Sequence, residues 1–330
     1  MSRIAIDVAY PTEGRRIALR TQLDWDRDVE PVLVEGAHAH FVIETNRRSL
    51  RYKPVLFDEQ AMHWALGANR VAFASEPEFI EYPRFFEEAC TACDIVGFET
   101  HHGDHSHEVR VFLPPGYDEN PLQRYPVVYM QDGHNVFFAE ESAFGAHWRV
   151  VETLSTLNAM NALSPVIVVG IYPHDRMVEY TVPGVEHYGA FLVQTLKPRI
   201  DAEYRTLPGR EHTAIMGSSL GGVAAFWVGW THPATFGQAA SLSATFGYRD
   251  DLAERVDREP VPPTRFYLDS GWPGDNYEAV RDLRARLVRR GLVPGSEMLY
   301  LAFPRATHSE SSWAARLHIP FQFLFDEARQ

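Results

Sequence analysis

The chain has 330 residues, of which 45% are hydrophobic, and a formal net charge of -13 at pH 7. This length suits two domains, each large enough to bury its own core, and the acidic balance argues against nucleic acid or an anionic membrane as a partner. The first residues lack the layout of a signal peptide, and no apolar run approaches the length of a membrane span. The sequence therefore predicts a soluble, cytoplasmic protein.

Residues 1 to about 85 consist of short apolar runs that polar or glycine turns interrupt at intervals typical of a β-sandwich. The predicted strands cover residues 17–21, 32–34, 41–45, 52–57 and 70–73. We therefore predict a β-sandwich domain with its linker over residues 1–88, followed by a catalytic domain over residues 89–330.

The segment Tyr52-Lys53, with Trp64-Ala-Leu-Gly67-Ala-Asn69 after it, resembles the immunoglobulin-like early-set domains that precede the catalytic domain of enterochelin esterases and many glycan-active enzymes. Exposed aromatic side chains in such domains stack on sugars, so the resemblance makes Trp64 a candidate sugar contact. Packing of Trp64 in the sandwich or against the second domain is the favoured alternative.

Two groups of potential metal ligands, a cysteine pair and a histidine-rich segment, come after the predicted β-sandwich domain. Cys90 and Cys93, the only cysteines, form a C-x-x-C without a second pair, so two reduced thiols are favoured over a redox pair or half a zinc site. Four histidines and an aspartate lie within residues 101–107, at the predicted tip of a hairpin formed by 95–100 and 108–113. Because an exposed tip is flexible and no carboxylate cluster joins it, we predict no metal and no cofactor.

Buried parallel strands are predicted at residues 125–131 and 165–171, where apolar runs are unbroken. Helices are predicted from Trp148 to about Met160, and over residues 191–205 with an interruption at Pro198.

The loop after the strand at 165–171 carries Arg176 and Glu179 to the sheet edge at which ligands bind. Arg176 is a candidate contact for a substrate carbonyl, phenol or carboxylate. The alternative for its side chain is a surface ion pair with Glu179 or Asp175.

An apolar strand at 212–216 ends in Gly217-Ser218-Ser219-Leu220-Gly221, and a helix that is apolar on every face follows. This G-x-S-x-G pattern places Ser219 as a nucleophile on a sharp strand-to-helix turn, where glycines keep side chains out. Candidate oxyanion donors are the backbone N–H groups of Leu220, at the start of the helix, and His134, in the loop after the strand at 125–131. The ring of His134 is interpreted as that of an ordinary loop histidine.

Further strands are predicted at 238–243, 265–271 and 297–303, with an amphipathic helix that Gly291 closes. His308 follows the last strand and is the candidate base, whereas His318 falls in a predicted terminal helix. Asp275 follows the strand at 265–271 and is the preferred acid, with Asp269 on that strand as the alternative.

Residues from about 95 to 325 resemble the esterase D-like branch of the α/β hydrolases, which includes enterochelin esterases, feruloyl and acetyl-xylan esterases and mycolyltransferases. The matching segments are Leu113-Pro-Pro-Gly-Tyr117, Tyr129-Met-Gln-Asp-Gly133, Arg176-Met-Val-Glu-Tyr180, Leu196-Lys-Pro198, Gly217-Ser-Ser-Leu-Gly-Gly222, His232-Pro233 with Phe236-Gly237, and His308 with Trp313.

The resemblance implies an α/β-hydrolase domain, with a mostly parallel sheet between helices, and the roles already assigned to Ser219, His308 and the two backbone donors. The family has Gly-Thr-x-Glu or Gly-Thr-x-Asp where this chain has Gly271-Trp-Pro-Gly-Asp275, one residue longer. Trp272 in this segment joins Arg176 and Glu179 as a candidate substrate contact.

The function we predict is a serine esterase that acts through an acyl-enzyme on an ester of a hydroxylated aromatic or sugar-linked acid. The alternatives are a trilactone siderophore esterase or an acyltransferase of the same branch, and last a carbohydrate-binding protein without activity. A small-molecule ester is the expected partner, while oligomeric state, including a homodimer, is left open.

Overall fold

The computed structural model describes residues 2–74, 79–86 and 95–325. The chain divides into two compact units. The N-terminal unit consists of Met1–Ala92, Pro114–Arg124 and Ser155–Ala162, and the C-terminal unit consists of Cys93–Leu113, Tyr125–Leu154 and Leu163–Gln330. Cys90 and Cys93 lie outside the described residues, so the prediction about their thiols stays a prediction.

Two sheets form the N-terminal unit. Its strands are β1 (Ser2–Ala9), β2 (Arg16–Thr21), β3 (Asp24–Val29), β4 (Leu33–Glu35), β5 (His38–Thr45), β6 (Ser49–Phe57), β7 (Met62–Trp64), β8 (Arg70–Phe73) and β9 (Phe79–Glu81). One sheet has the order β4-β5-β1-β9, and the other has the order β3-β2-β6-β7, with β8 also paired to β6.

Apolar side chains from both sheets of the N-terminal unit meet in one core. Ile6 of β1 and Phe41 of β5 come from the first sheet, while Leu19 of β2 and Leu56 of β6 come from the second, and all four are fully buried. Alternate residues of β5 are buried, as expected for a strand with one face on a core. These features are those of a β-sandwich, whose immunoglobulin-like character stays a prediction.

Some strands of the N-terminal unit were not predicted. The edge strand β3 reads Asp-Trp-Asp-Arg-Asp-Val and has no alternating apolar pattern. Its carboxylates instead pair with arginines of the neighbouring β2: Asp28 accepts hydrogen bonds from Arg16 and Arg20. A charged strand of this kind protects the edge of a sheet from pairing with other chains.

An eight-stranded mixed sheet organises the C-terminal unit. Its strands are β10 (Ile95–His102), β11 (His105–Phe112), β12 (Val127–Met130), β13 (Ile167–Ile171), β14 (Thr213–Ser218), β15 (Gln238–Leu242), β16 (Arg265–Trp272) and β17 (Met298–Pro304), in the spatial order β10-β11-β13-β12-β14-β15-β16-β17. The pairs β10–β11 and β11–β13 are antiparallel, and the pairs from β13 to β17 are parallel. This is the predicted α/β-hydrolase fold, which is confirmed.

The described helices are α1 (Val150–Ala159), α2 (Arg176–Glu179), α3 (Gly184–Phe191), α4 (Lys197–Glu203), α5 (Ser219–Thr231), α6 (Leu252–Arg258), α7 (Tyr277–Arg289), α8 (Glu310–Arg316) and α9 (His318–Leu324). None of them is both long enough and apolar enough to cross a membrane. His318 begins α9, so its predicted place in a terminal helix is confirmed.

The helix predicted over residues 191–205 is interrupted, as expected, but the interruption lies just before Pro198 and a helix already begins at Gly184. Helix α3 ends at Phe191, a π-helical turn covers Leu192–Leu196, and α4 begins at Lys197. Pro198 has no backbone N–H, and in a regular α-helix its ring would collide with the carbonyl group four residues earlier. The wider turn just before Pro198 removes that collision.

The histidines at 101–107 lie in the two strands of the hairpin, whereas the prediction placed them in its tip. The two strands of the hairpin extend to His102 and resume at His105, so that only Gly103 and Asp104 form the turn. His107 is buried and stacks on Phe191, with 4.1 Å between ring centroids. Within the described ranges, no group of three or more His, Cys, Asp or Glu residues is placed to hold a metal ion.

Candidate active site

Ser219 occupies a sharp turn between β14 and α5. Its φ of +53° is a left-handed backbone conformation that non-glycine residues rarely adopt, and it raises the serine above the end of the strand. A Cβ atom on Gly217 would collide with the carbonyl oxygen of Gly221, and one on Gly222 would lie 3.0 Å from the Cβ of Ala244. The predicted close approach of strand, helix and sheet at these glycines is thus confirmed. Helix α5 is buried from Leu220 to Trp230, as its apolar sequence predicts.

Gly217→Ala tests this turn. We expect a loss of about 1 to 3 kcal/mol in the free energy of unfolding, because the added methyl group must push β14 away from α5. Displacement of Ser219 is expected to lower kcat/KM by roughly 100-fold. Urea unfolding and ester hydrolysis measure the two effects. The matched control is Gly103→Ala, where φ is +60° and a Cβ would meet nothing within 4 Å. The left-handed backbone by itself should cost about 1 to 2 kcal/mol, and kcat/KM should stay within about twofold of the wild-type value. An equal loss of kcat/KM in both variants would refute the steric argument.

The structure brings Ser219, His308 and Asp275 into one hydrogen-bonded line. His308 lies between β17 and α8, with its Nε2 atom 2.9 Å from Ser219 Oγ and its Nδ1 atom 2.7 Å from Asp275 Oδ1. Ser219 follows β14, Asp275 follows β16, and His308 follows β17. The carboxyl ends of these three strands lie at the same edge of the parallel part of the sheet. A hydroxyl group, an imidazole and a carboxylate in this order form the arrangement of a serine hydrolase.

Asp275 accepts four hydrogen bonds. Its Oδ1 atom accepts from His308 and from the backbone N–H of Asn276, and its Oδ2 atom accepts from the backbone N–H of Gly271 and from the hydroxyl group of Ser243. Burial by itself would raise the pKa of Asp275, but these donors outweigh it and lower the pKa to about 2.

The tautomer of His308 follows from the ionised state of Asp275. A carboxylate only accepts hydrogen bonds, so the proton of the neutral imidazole must lie on Nδ1. The lone pair of Nε2 therefore faces Ser219 Oγ, which is what a general base for the serine hydroxyl requires.

Asp269, the alternative acid, lies in a different environment. It is fully buried on β16, where Arg316 donates two hydrogen bonds of 2.9 Å to its two oxygens and Tyr267 donates a third. Burial raises the pKa of Asp269, while Arg316 opposes this shift. The structure thus places Asp275, and not Asp269, against His308.

The two predicted oxyanion donors follow neighbouring strands. Leu220 is the second residue of α5, which follows β14, and His134 lies in a 3-10 turn, Gly133–Asn135, after β12. Because β12 and β14 are paired in parallel, both turns lie at the same edge of the sheet. The ring of His134 packs against that of Tyr172, with 6.0 Å between the ring centroids. This contact agrees with the interpretation of His134 as an ordinary loop histidine. The oxyanion role of the two backbone N–H groups stays a prediction.

A pocket of about 550 Å³ opens beside Ser219 and Leu220. Met177, Phe246 and Tyr248 give its wall an apolar and aromatic character, and Arg176 is its cation. Such a wall suits a ligand with an apolar or aromatic part.

Arg176 has a different partner from those considered in the sequence. It does not pair with Glu179 or Asp175 but donates hydrogen bonds of 2.8 and 3.2 Å to the two oxygens of the buried Asp132. Asp175 instead caps α2 by accepting from the backbone N–H groups of Met177 and Val178. The positive charge of Arg176 at the pocket is therefore largely balanced by a carboxylate of the same chain.

The other two candidate substrate contacts lie outside this pocket wall. Glu179 binds His107 Nε2 at 2.8 Å and accepts from the backbone N–H of His174, so both of its oxygens have partners. Trp272 ends β16 with 49% of its surface exposed and contacts Tyr277. Their contact with substrate stays a prediction.

Trp64, the candidate sugar contact of the N-terminal unit, is 36% exposed. Its ring lies 6.5 Å from that of Trp25, and the guanidinium of Arg20 lies over it at 5.3 Å. Side chains of the same unit thus account for much of its packing, in line with the favoured alternative.

Sequence reasoning missed three residues around Asp275. Ser243, Trp313 and Arg316 are buried beside it and connected by hydrogen bonds. Ser243 stands at the end of a predicted strand, and its φ of +47° is visible only in the structure. In the sequence, Trp313 stands out only as part of a matching segment. Nothing near Arg316 in the sequence indicates that it pairs with Asp269.

Comparison with known proteins identifies the family and the fold of this chain. Residues 101–320 match the model of a family described as "Putative esterase". The uncharacterized protein YbbA of Bacillus subtilis (strain 168) is 24% identical over 177 residues, a match that covers 49% of this chain. The chain spans 66% of the length of that relative, just under two thirds.

Two solved structures show the same fold. A ferulic acid esterase superposes with a TM-score of 0.59 and 17% identity, covering 70% of this chain and 98% of its own. The enterobactin esterase of Shigella flexneri superposes with a TM-score of 0.58 and 16% identity, covering 99% of this chain and 94% of its own. Since the family match takes in most of the sequence, including Ser219, Asp275 and His308, the chain belongs to the "Putative esterase" family of enzymes.

Proposed function

We propose that this chain is a serine carboxylic-ester hydrolase with Ser219 as nucleophile, His308 as general base and Asp275 as the acid that orients the base. The line of hydrogen bonds from Ser219 Oγ through His308 to the buried Asp275 carries the proposal. His308 Nε2 takes the proton of Ser219 Oγ as the oxygen attacks the ester carbonyl carbon. Asp275 stabilises the imidazolium that forms.

The tetrahedral intermediate places its negative oxygen where the N–H groups of Leu220 and His134 would donate to it. When the intermediate collapses, the bond to the leaving alcohol breaks and the alcohol takes the proton from His308. This leaves an acyl group on Ser219. Water then attacks the acyl carbon, gives its proton to His308, and releases the carboxylic acid as Ser219 recovers its hydrogen.

The substrate that we propose is a small ester of a hydroxylated aromatic or sugar-linked acid, and neither nucleic acid nor a membrane is a partner. The apolar and aromatic wall of Met177, Phe246 and Tyr248 supports an aromatic acyl group. Since Asp132 balances Arg176, the pocket has little net positive charge for an anionic substrate.

A trilactone siderophore is the second candidate substrate. The enterobactin esterase superposes over 99% of this chain, whereas the ferulic acid esterase superposes over 70%. Ferric catecholate complexes are anionic, however, and the chain carries a net charge of -13. An acyltransferase would use the same acyl-enzyme with an alcohol in place of water.

An ester panel distinguishes these candidates. We expect kcat/KM for methyl ferulate or an acetylated sugar to exceed that for a ferric catecholate trilactone by at least about tenfold, because burying an anion without a free cation is costly. The rate of hydrolysis is measured as the release of the carboxylic acid. Each measurement is repeated with an added sugar, whose hydroxyl groups can accept the acyl group in place of water. Preference for the trilactone would overturn the first candidate, and acyl transfer that outpaces hydrolysis would identify an acyltransferase.

A further inference from the structure

Behind Asp275 lies a buried group of polar residues from three elements. Ser243 follows β15, Asp269 lies on β16, and Trp313 and Arg316 belong to α8. Ser243 and Asp269 have no exposed surface, and Arg316 and Trp313 are 3% and 4% exposed. Polar groups buried so deeply are costly unless all of their hydrogen bonds are made, and here they are connected to one another.

The hydroxyl group of Ser243 has no freedom of direction. Its oxygen accepts from Trp313 Nε1 at 3.1 Å and from Arg316 Nη2 at 2.8 Å. A serine oxygen has two acceptor sites, and both are filled. Its single hydrogen must therefore point to the remaining neighbour, Asp275 Oδ2.

Arg316 is held in place by Asp269. Its Nε and Nη2 atoms each donate to that carboxylate at 2.9 Å, and Tyr267 donates to the same carboxylate from β16. This bidentate ion pair fixes the plane of the guanidinium group. The second N–H of Nη2 is therefore directed at Ser243.

We infer that Arg316, through the hydroxyl group of Ser243, is a positioning residue that keeps the carboxylate of Asp275 ionised and turned toward His308. The inference rests on the proposed function, because it concerns the acid of that triad. Arg316 ends α8, and His308 lies just before α8, so the same contacts also hold the histidine loop against β15 and β16. The ionisable side chains joined to Asp275 directly or through this group are His308, Asp269, Tyr267 and Arg316. The buried Glu310 begins α8 two residues after His308, and it is a further charge on the same element.

The sign of the expected pH effect follows from the hydrogen bonds. Without the Ser243 hydroxyl group, Asp275 Oδ2 loses a donor that Arg316 polarises. The backbone N–H groups of Gly271 and Asn276 still hold Asp275 beside His308, and its negative charge, shared with one donor fewer, attracts protonated His308 more strongly. Since hydrolysis needs neutral His308, the acid limb of the kcat/KM profile must move to higher pH.

The test compares Ser243→Ala with the wild type, using p-nitrophenyl acetate across the pH range. We expect the acid limb to move up by about 0.5 to 1 pH unit, with kcat lower by roughly 10- to 100-fold. The matched control is Thr264→Val, which removes another buried hydroxyl group that bonds only to backbone carbonyls, those of Gly229 and Phe236. Thr264→Val should leave the pH dependence of kcat/KM unchanged, even if it lowers the melting temperature.

A second variant keeps the test decisive if Ser243→Ala folds poorly. Asp269→Asn combined with Arg316→Met removes both charges, so that neither is left buried without a partner. It should move the acid limb in the same direction. An unchanged pH profile in a folded variant would overturn the inference and leave the group a purely structural one. If instead Ser219→Ala retained wild-type turnover, the proposed function itself would be refuted, and the two failures are therefore distinguishable.

Discussion

Replacing Ser219 with alanine is expected to lower kcat for ester hydrolysis by about five to six orders of magnitude, as the loss of a triad nucleophile does elsewhere. Without the Oγ atom no acyl-enzyme can form, and only binding and the oxyanion donors remain. Initial rates with p-nitrophenyl acetate measure the effect. Melting temperature should stay within a few degrees of the wild-type value, because alanine retains the Cβ atom in the turn.

The neighbouring Ser218 supplies the matched control. It lies in the same Gly-Ser-Ser-Leu-Gly turn but ends β14 as a buried residue, and it takes no part in the contact with His308. Ser218→Ala should retain activity within about tenfold. A fluorophosphonate probe should label the wild type and Ser218→Ala but not Ser219→Ala. Unchanged turnover in Ser219→Ala would end the catalytic proposal, and absence of labelling in the wild type would favour a binding protein without activity.

Replacing Asp275 with asparagine is expected to lower kcat by about four orders of magnitude with little change in KM. The amide would place either a neutral oxygen or an NH₂ group against His308 Nδ1. In the second case the imidazole must accept there, which puts its proton on Nε2 and leaves no lone pair for Ser219. Stopped assays at several enzyme concentrations can measure the residual rate.

Asp269→Asn is the control for Asp275→Asn. It makes the same chemical change to the other buried carboxylate of this region, which binds Arg316 and not His308. We expect it to lower stability and to reduce kcat by no more than about tenfold, since its effect on Asp275 passes through Arg316 and Ser243. A larger loss of activity in Asp269→Asn than in Asp275→Asn would reverse the assignment of the acid.

Much of the C-terminal unit is predictable from local patterns. The unbroken apolar runs at 125–131 and 165–171 correspond to β12 and β13, and the run before Gly217 corresponds to β14. Strand order and the strand-to-helix turn then place Ser219 and His308 at one edge of the sheet. Predictions were weaker in the N-terminal unit, where an acidic edge strand such as β3 has no apolar alternation to recognise.

Partners of charged side chains were the least predictable feature. Arg176 has carboxylates one and three residues away in the sequence, yet it binds Asp132, which is 44 residues away. The choice depends on β12 and β13 being neighbours in the sheet, since this brings the loops that follow them together. Asp269 on β16 binds Arg316, 47 residues away at the end of α8, and α8 follows β17, the neighbour of β16 in the sheet.

Local sequence patterns are enough to specify the elements and the type of chemistry: a serine on a glycine-lined turn, a histidine after the last strand, and an aspartate between them in the chain. Backbone sterics and the spacing of apolar residues act over a few positions, so a short segment carries that information. The folded arrangement is needed to tell which carboxylate faces His308, which carboxylate balances Arg176, and which way the Ser243 hydroxyl group points. These outcomes depend on distances between segments that the order of strands brings together, and on burial, which makes every unpaired polar group costly.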